Sequence, residues 1–189
     1  FPTRRSSDLF DTPLTLSVAQ SQELCHMVRM YQPNCLVNSR IGNGLGDYSS
    51  LGDNQIPAGR KSCGLFETAA TLNDTWGYKS FDQNWKSSRE MVTLLGRLAS
   101  RNVNYLLNVG PDPLGRIPAK AWQIMDEVGR WMETCGEAIY GTKPSPFAGD
   151  LPSGPVTEGE DSLYFMLSEP ARQRELAVSV YRTEARRRK

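Results

Sequence analysis

The sequence predicts an α/β fold of parallel strand–helix units, and three observations carry that reading. Short apolar runs at residues 35–39, 65–70 and 103–108 alternate with segments of helical periodicity. Each run carries polar residues, Asn38-Ser39, Glu67-Thr68 and Asn104 with Asn108, as strands do when they line a functional rim. Near residue 145 the texture changes: Pro144, Pro146, Pro152 and Pro155 sit among Gly and Ser, followed by β-like runs at 163–167 and 176–181. A second, β-rich domain is therefore expected from about residue 146. With 189 residues the chain is shorter than the roughly 250 of a complete (β/α)8 barrel.

The first helix is expected over 17–31. Ser17-Val18-Ala19-Gln20 is a capping-box pattern, Leu24, Val28 and Tyr31 recur at helical spacing, and Pro33 stops the helix. A strand over 35–39 follows. The stretch 41–63 is rich in Gly, Asp and Ser and too long for a mere connection, which marks it as functional. After the strand at 65–70, Ser87-Ser88-Arg89-Glu90 repeats the capping box. Met91, Leu94, Leu95 and Leu98 then form an apolar stripe. After the strand at 103–108, Pro118 opens a helix whose Ala121, Ile124, Met125, Val128 and Met132 are expected to face the core, ending at Gly136.

Composition narrows the function classes. The 22 Lys and Arg against 21 Asp and Glu create no field that would gather nucleic acid. The basic run Arg186 to Lys189 reads as a solvated terminus, and residues 10–185 carry a net charge of −4. No apolar run is long enough for a membrane span. Cys25, Cys35, Cys63 and Cys135 form no CxxC pair, and the single histidine is His26, so zinc-site spacing is absent. Residues 1–9 lack the apolar core of a signal peptide. They read instead as the in-frame translation of a sequencing adapter, to be set aside from the fold.

In parallel α/β folds catalytic groups gather at the carboxyl ends of strands. Asn38-Ser39-Arg40, Glu67-Thr68 and Asn108 are the polar strand ends here, and Asp11 joins that rim if a strand precedes it. A rim bearing Asp11, Arg40, Asp53 and Glu67 offers paired carboxylates and a fixed cation, the equipment of glycoside hydrolysis. The same residues also fit an ordinary solvated rim. Gly42-Asn43-Gly44-Leu45-Gly46 has the wrong spacing for a dinucleotide fingerprint, and Asn73-Asp74-Thr75 is a chance glycosylation triplet.

Six stretches then resemble one family in its own order: Phe10-Asp11-Thr12-Pro13, Gln32-Pro33-Asn34 with Leu36 to Gly42, Phe66-Glu67-Thr68, Thr75-Trp76-Gly77-Tyr78, Leu106 to Pro111, and Gly136 to Thr142. They are similar to the retaining α-L-fucosidases of glycoside hydrolase family 29, over residues 10 to about 164. The resemblance implies the C-terminal half of a (β/α)8-like barrel over 10–145, then the start of a β-sandwich domain over 146–189.

It also implies roles. Asp11 maps to the nucleophile, without a strand of its own and with Leu9 where the family has Trp. Arg40 maps to the sugar-binding arginine and Trp76 to the aromatic wall against fucose. The acid/base has two placements: Asp53, an Asp for the family's Glu in a longer loop, or Glu67. Glu67 is preferred because its strand-end position is better fixed; Asp47 ranks third. Asn108, Gly110 and Pro111 are expected to be structural. The implied partner is a fucosylated glycan, with no metal or organic cofactor. The family is often periplasmic, secreted or lysosomal. Its fucose-binding histidines lie upstream of Phe10, so the chain itself is expected to be an inactive fragment. The rival expectation is a non-catalytic carbohydrate-binding or scaffolding relative.

Overall fold

The computed structural model describes residues 7–61, 63–147 and 149–167. The expected β-like run at 176–181 and the basic tail lie outside them. The elements run β1 Ser7–Asp8, α1 Val18–Tyr31, β2 Leu36–Val37, β3 Ser49–Ser50, β4 Phe66–Thr71, α2 Ser88–Ala99, β5 Asn104–Asn108, α3 Ala119–Cys135, β6 Val156–Glu158 and β7 Leu163–Phe165.

Strands β1 to β5 pair in parallel. Ser7 and Asp8 oppose Leu36 and Val37; Ser49 and Ser50 oppose Phe66 and Glu67; Glu67 to Thr71 oppose Asn104 to Asn108. A single parallel bridge between Asn38 and Tyr48 joins β2 to the segment entering β3. The backbone of residues 7–8 thus gives Asp11 a preceding strand, contrary to the expectation that it has none. β4 is the central strand, and Glu67 to Thr71 are all buried, as a strand covered on both faces requires.

Both capping boxes form. The Ser17 hydroxyl accepts from the Gln20 amide, and the Gln20 side chain accepts from the Ser17 amide. Ser87 and Glu90 repeat the exchange, and the Ser87 N–H holds the Glu90 carboxyl below its ordinary pKa. The core lies between β5 and helices α2 and α3. Leu72, Met91, Ala121 and Ile124 are fully buried there, with Tyr105, Leu107 and Val128 packed against them. Burial without a charged partner pushes the Tyr105 phenol up to about 12.

Two residues of the apolar helix patterns do not face the core. Met125 is substantially exposed at the margin of the α3 stripe, and Tyr31 is exposed at the end of α1. α1 buries only the polar Ser21, whose hydroxyl donates to the Ile41 carbonyl at 2.8 Å. Pro118 opens α3 as expected, standing at its N-cap. The hairpin β6–β7 packs on α2: a Cβ on Gly96 would meet Met166 Sδ at 2.7 Å and Pro155 Cγ at 3.1 Å.

Candidate active site

The stretch 41–63 that composition marks as functional is built on glycine. Gly42, Gly44 and Gly46 all hold positive φ, the conformation that lets the loop double back after the 3-10 turn Ser39–Ile41. That turn carries Arg40 above β2, and the returning loop brings Asp53 alongside it. Beside β2, Phe10 follows the end of β1 and delivers Asp11. Thr12 then turns at φ 55°, a costly conformation for a β-branched residue, with its N–H on the Asp11 carboxylate at 2.9 Å.

The three charged side chains meet. Arg40 Nη1 donates to Asp11 Oδ1 at 3.0 Å, and Nη2 donates to Asp53 Oδ1 at 2.5 Å and to the Leu51 carbonyl at 3.2 Å. Nearest oxygens of two carboxylates on one guanidinium fork lie no more than about 8 Å apart. The hydrogen bond to Asp53 is the strongest influence raising the Arg40 pKa, so the cation is fixed. Exposure decides what a ligand can reach: Asp11 is 66% and Asp53 46% open, whereas Arg40 is 23% open.

All three line a cavity of about 430 Å³, shared with Trp76, Ala69 and Asn108. That size suits a small organic ligand. Trp76 is fixed from behind. Its carbonyl accepts from Asn108 Nδ2 at 2.6 Å, and Thr75 beside it donates to Asp82 at 2.8 Å. Gly110 lies so close to this loop that a Cβ would stand 2.8 Å from the Gly77 carbonyl carbon and the Tyr78 nitrogen. Asn73 of the discarded glycosylation triplet is buried.

Glu67 differs from its expected placement. β4 begins at Phe66 and ends at Thr71, so Glu67 is near the amino end of its strand and not at the carboxyl rim. It is 9% exposed, does not line the cavity, and its Oε1 is buried with no hydrogen-bond partner among the described residues. Burial raises its pKa, opposed by the positive charge of Arg40. Asp47 turns the other way, accepting from the Val37 amide at 2.7 Å and pairing with Arg29, which lower its pKa. His26 is exposed on α1.

Asn38, an unassigned strand-end residue in the sequence, is fully buried beneath the charged trio. No local pattern announces it, because its partners lie up to 28 positions away.

The family model for alpha-L-fucosidase matches residues 10–137. An α-L-fucosidase structure from Vibrio sp. strain EJY3 is 32% identical, with a TM-score of 0.76, covering 84% of this chain and 29% of that one. The AlfC α-L-fucosidase of Lactobacillus casei, solved with its α-L-fucose product, is 47% identical at a TM-score of 0.61, covering 69% of this chain and 40% of that one. The α-L-fucosidase of Branchiostoma floridae is 27% identical over 157 residues, 78% of this chain and 35% of its own length. The chain thus spans less than half of each of these relatives. By the family match over most of its length, the chain belongs to the alpha-L-fucosidase family of glycoside hydrolases.

Proposed function

We propose that this chain carries the reacting carboxylates of a retaining α-L-fucosidase that releases terminal α-L-fucosyl residues from glycans. The observation that carries the reading is the single guanidinium of Arg40 joined to both Asp11 and Asp53 at a cavity walled by Trp76. Asp11 is the nucleophile. Its carboxylate oxygen bonds to the anomeric carbon as the glycosidic C–O bond breaks, and the leaving oxygen takes the proton of Asp53. Water then gives a proton to Asp53, attacks the same carbon and frees Asp11, so two inversions retain the configuration. The upper bound of about 8 Å on the carboxylate pair admits retaining and inverting separations alike, and the retaining assignment comes from the family resemblance.

Arg40 is the sugar clamp. Substrate hydroxyls take hydrogen bonds from the planar fork in place of its carboxylate partners, which keeps its N–H donors answered. Trp76, half-exposed at the wall, presents its ring to the apolar face and methyl of fucose. Asp53 is assigned as acid/base over Glu67 because it shares the cavity with Asp11 and is open to a leaving group. The fucose product bound to the L. casei relative supports the sugar class.

In this reading β2 to β5 with helices α1 to α3 are the C-terminal half of a (β/α)8-like barrel, over 10–145, and hairpin β6–β7 begins a β-sandwich. The chain spans less than half of these relatives, and we assign the rest of the sugar site, with the histidines that the family resemblance implies, to a longer protein. The 189-residue chain alone is therefore inactive. The test is hydrolysis of 4-nitrophenyl α-L-fucopyranoside by the full-length protein carrying this sequence and by the chain alone. Activity of the first, abolished by Asp11→Asn, supports the reading. An inactive full-length protein that still binds fucose would replace it with a carbohydrate-binding role, and activity of the isolated chain would overturn the fragment clause.

A further inference from the structure

We infer that Asn38 is a positioning residue for the nucleophile: it sets where Asp11 stands by holding the backbone of Phe10. The inference rests on the fucosidase reading and adds to it a residue that touches neither sugar nor reacting atoms.

Parallel pairing between β1 and β2 ends at Asp8 and Val37. One step further on, the Asn38 side chain takes over the ladder. Its Oδ1 accepts from the Phe10 N–H at 2.8 Å and its Nδ2 donates to the Phe10 carbonyl at 2.8 Å. A primary amide is the side chain that can answer a backbone N–H and C=O of one residue together, one atom accepting and the other donating. Asn38 has no exposure, so these bonds form away from competing water, where an unanswered donor or acceptor costs most.

The same amide reaches a second segment. Nδ2 lies 3.4 Å from Ser50 Oγ, while the neighbouring Ser39 donates its N–H to the Tyr48 carbonyl at 2.8 Å and accepts from the Ser50 N–H at 3.0 Å. Asn38 is locked from the opposite side as well. Gly46, at φ 134°, presses so close that a Cβ there would stand 2.9 Å from the Asn38 carbonyl oxygen. Phe10 precedes Asp11, Asn38 precedes Arg40 by two residues, and Ser50 precedes Asp53 by three. One buried side chain thus ties the three segments that deliver the charged trio.

Its strongest hold is on Phe10. Asp11 is 66% exposed, and its carboxylate contacts the Thr12 N–H and Arg40, a residue the substrate must engage. When Arg40 turns to sugar, the Phe10 backbone remains to aim the nucleophile. A shift of about 1 Å in a reacting group costs on the order of 10²-fold in rate.

The experiment uses the full-length protein with 4-nitrophenyl α-L-fucopyranoside. Asn38→Ala and Asn38→Asp are expected to lower kcat about 10²-fold with little change in KM, counted per site labelled covalently at Asp11. The decisive arm puts Asn38→Ala into an Asp11→Gly background rescued by azide. There azide carbon–nitrogen bond formation replaces attack by Asp11, and 4-nitrophenolate leaves without an acid. The azide-rescued rate is expected to be the same whether or not Asn38→Ala is present, because the group being positioned is gone. A loss in kcat that persists undiminished under azide rescue, or an Asn38→Ala enzyme with unchanged kcat, would overturn the positioning role while leaving the fucosidase reading intact. A full-length protein with Asn38 present and no hydrolysis would overturn both.

Discussion

Arg40 Nη2 and Asp53 Oδ1 stand 2.5 Å apart, and the same guanidinium reaches Asp11 at 3.0 Å from its other nitrogen. A cation seated between two carboxylates offsets one of their two negative charges and draws both side chains to one fork. In the proposed mechanism Asp53 governs leaving-group chemistry, and Arg40 governs the grip on the sugar. Asp53→Asn is expected to lower kcat/KM about 10²- to 10⁴-fold for natural glycans. The loss should be much smaller for aryl fucosides whose phenolate needs no proton. Glu67→Gln should leave that ratio between substrates unchanged. Steady-state kinetics on both substrate classes checks it, and a selective loss in Glu67→Gln would move the acid role there.

Glu67 also makes a pH prediction with a definite sign. Burial raises its folded pKa above the unfolded value, so the neutral form favours folding. Its stabilising contribution is full below the unfolded carboxyl value, near about pH 4, and is lost as pH rises through the raised folded pKa. Glu67→Gln should remove that decline and be neutral to stabilising at about pH 7. Thermal melts across pH on the wild type and variant measure it.

Asp47 has the opposite sign. The Val37 N–H and Arg29 lower its folded pKa, so its contribution is present above the unfolded value and lost as pH falls through the folded one. Asp47→Asn should cost about 1 kcal/mol at neutral pH, the worth of one hydrogen bond to a partly exposed charged acceptor. Urea unfolding at neutral and acidic pH should show the difference shrinking on acidification.

Gly110→Ala tests how the Trp76 wall is held. A Cβ there would stand 2.8 Å from backbone atoms of Gly77 and Tyr78, which cannot move aside as a flexible side chain could. The loop must shift, and the Asn108 bond to the Trp76 carbonyl with it. The expected result is a KM for aryl fucoside raised several-fold with a smaller effect on kcat, read by kinetics. Loss of intrinsic fluorescence change on fucose binding should accompany it.

Much of the frame was legible because it is local. Ser17 with Gln20 and Ser87 with Glu90 announce their helices within four residues, and the Met91 to Leu98 stripe shows which face of α2 is buried. β3 was hidden because Ser49 and Ser50 have no apolar alternation, and their strand state comes from pairing with Phe66 and Glu67. The short β6, Val156–Glu158, has too brief a pattern to stand out from its proline-rich surroundings. Asp11, Arg40 and Asp53 were recognisable as residue types, but their convergence on one guanidinium is a tertiary fact. Glu67-Thr68 reads as a polar strand end in the sequence, but β4 runs on through Ala69 and Ala70 to Thr71, which leaves the pair at its amino end. Asn38 carried no signal at all beyond being polar at a strand end.

A covalent bond between Asp11 and fucose is looked for by mass spectrometry of the full-length protein treated with a 2-deoxy-2-fluoro-α-L-fucosyl donor. One fluorofucosyl adduct is expected, located by peptide mapping on Asp11 and absent in Asp11→Asn. An active enzyme that gives no adduct, or one whose adduct maps to Asp53 or Glu67, would contradict Asp11 as the nucleophile.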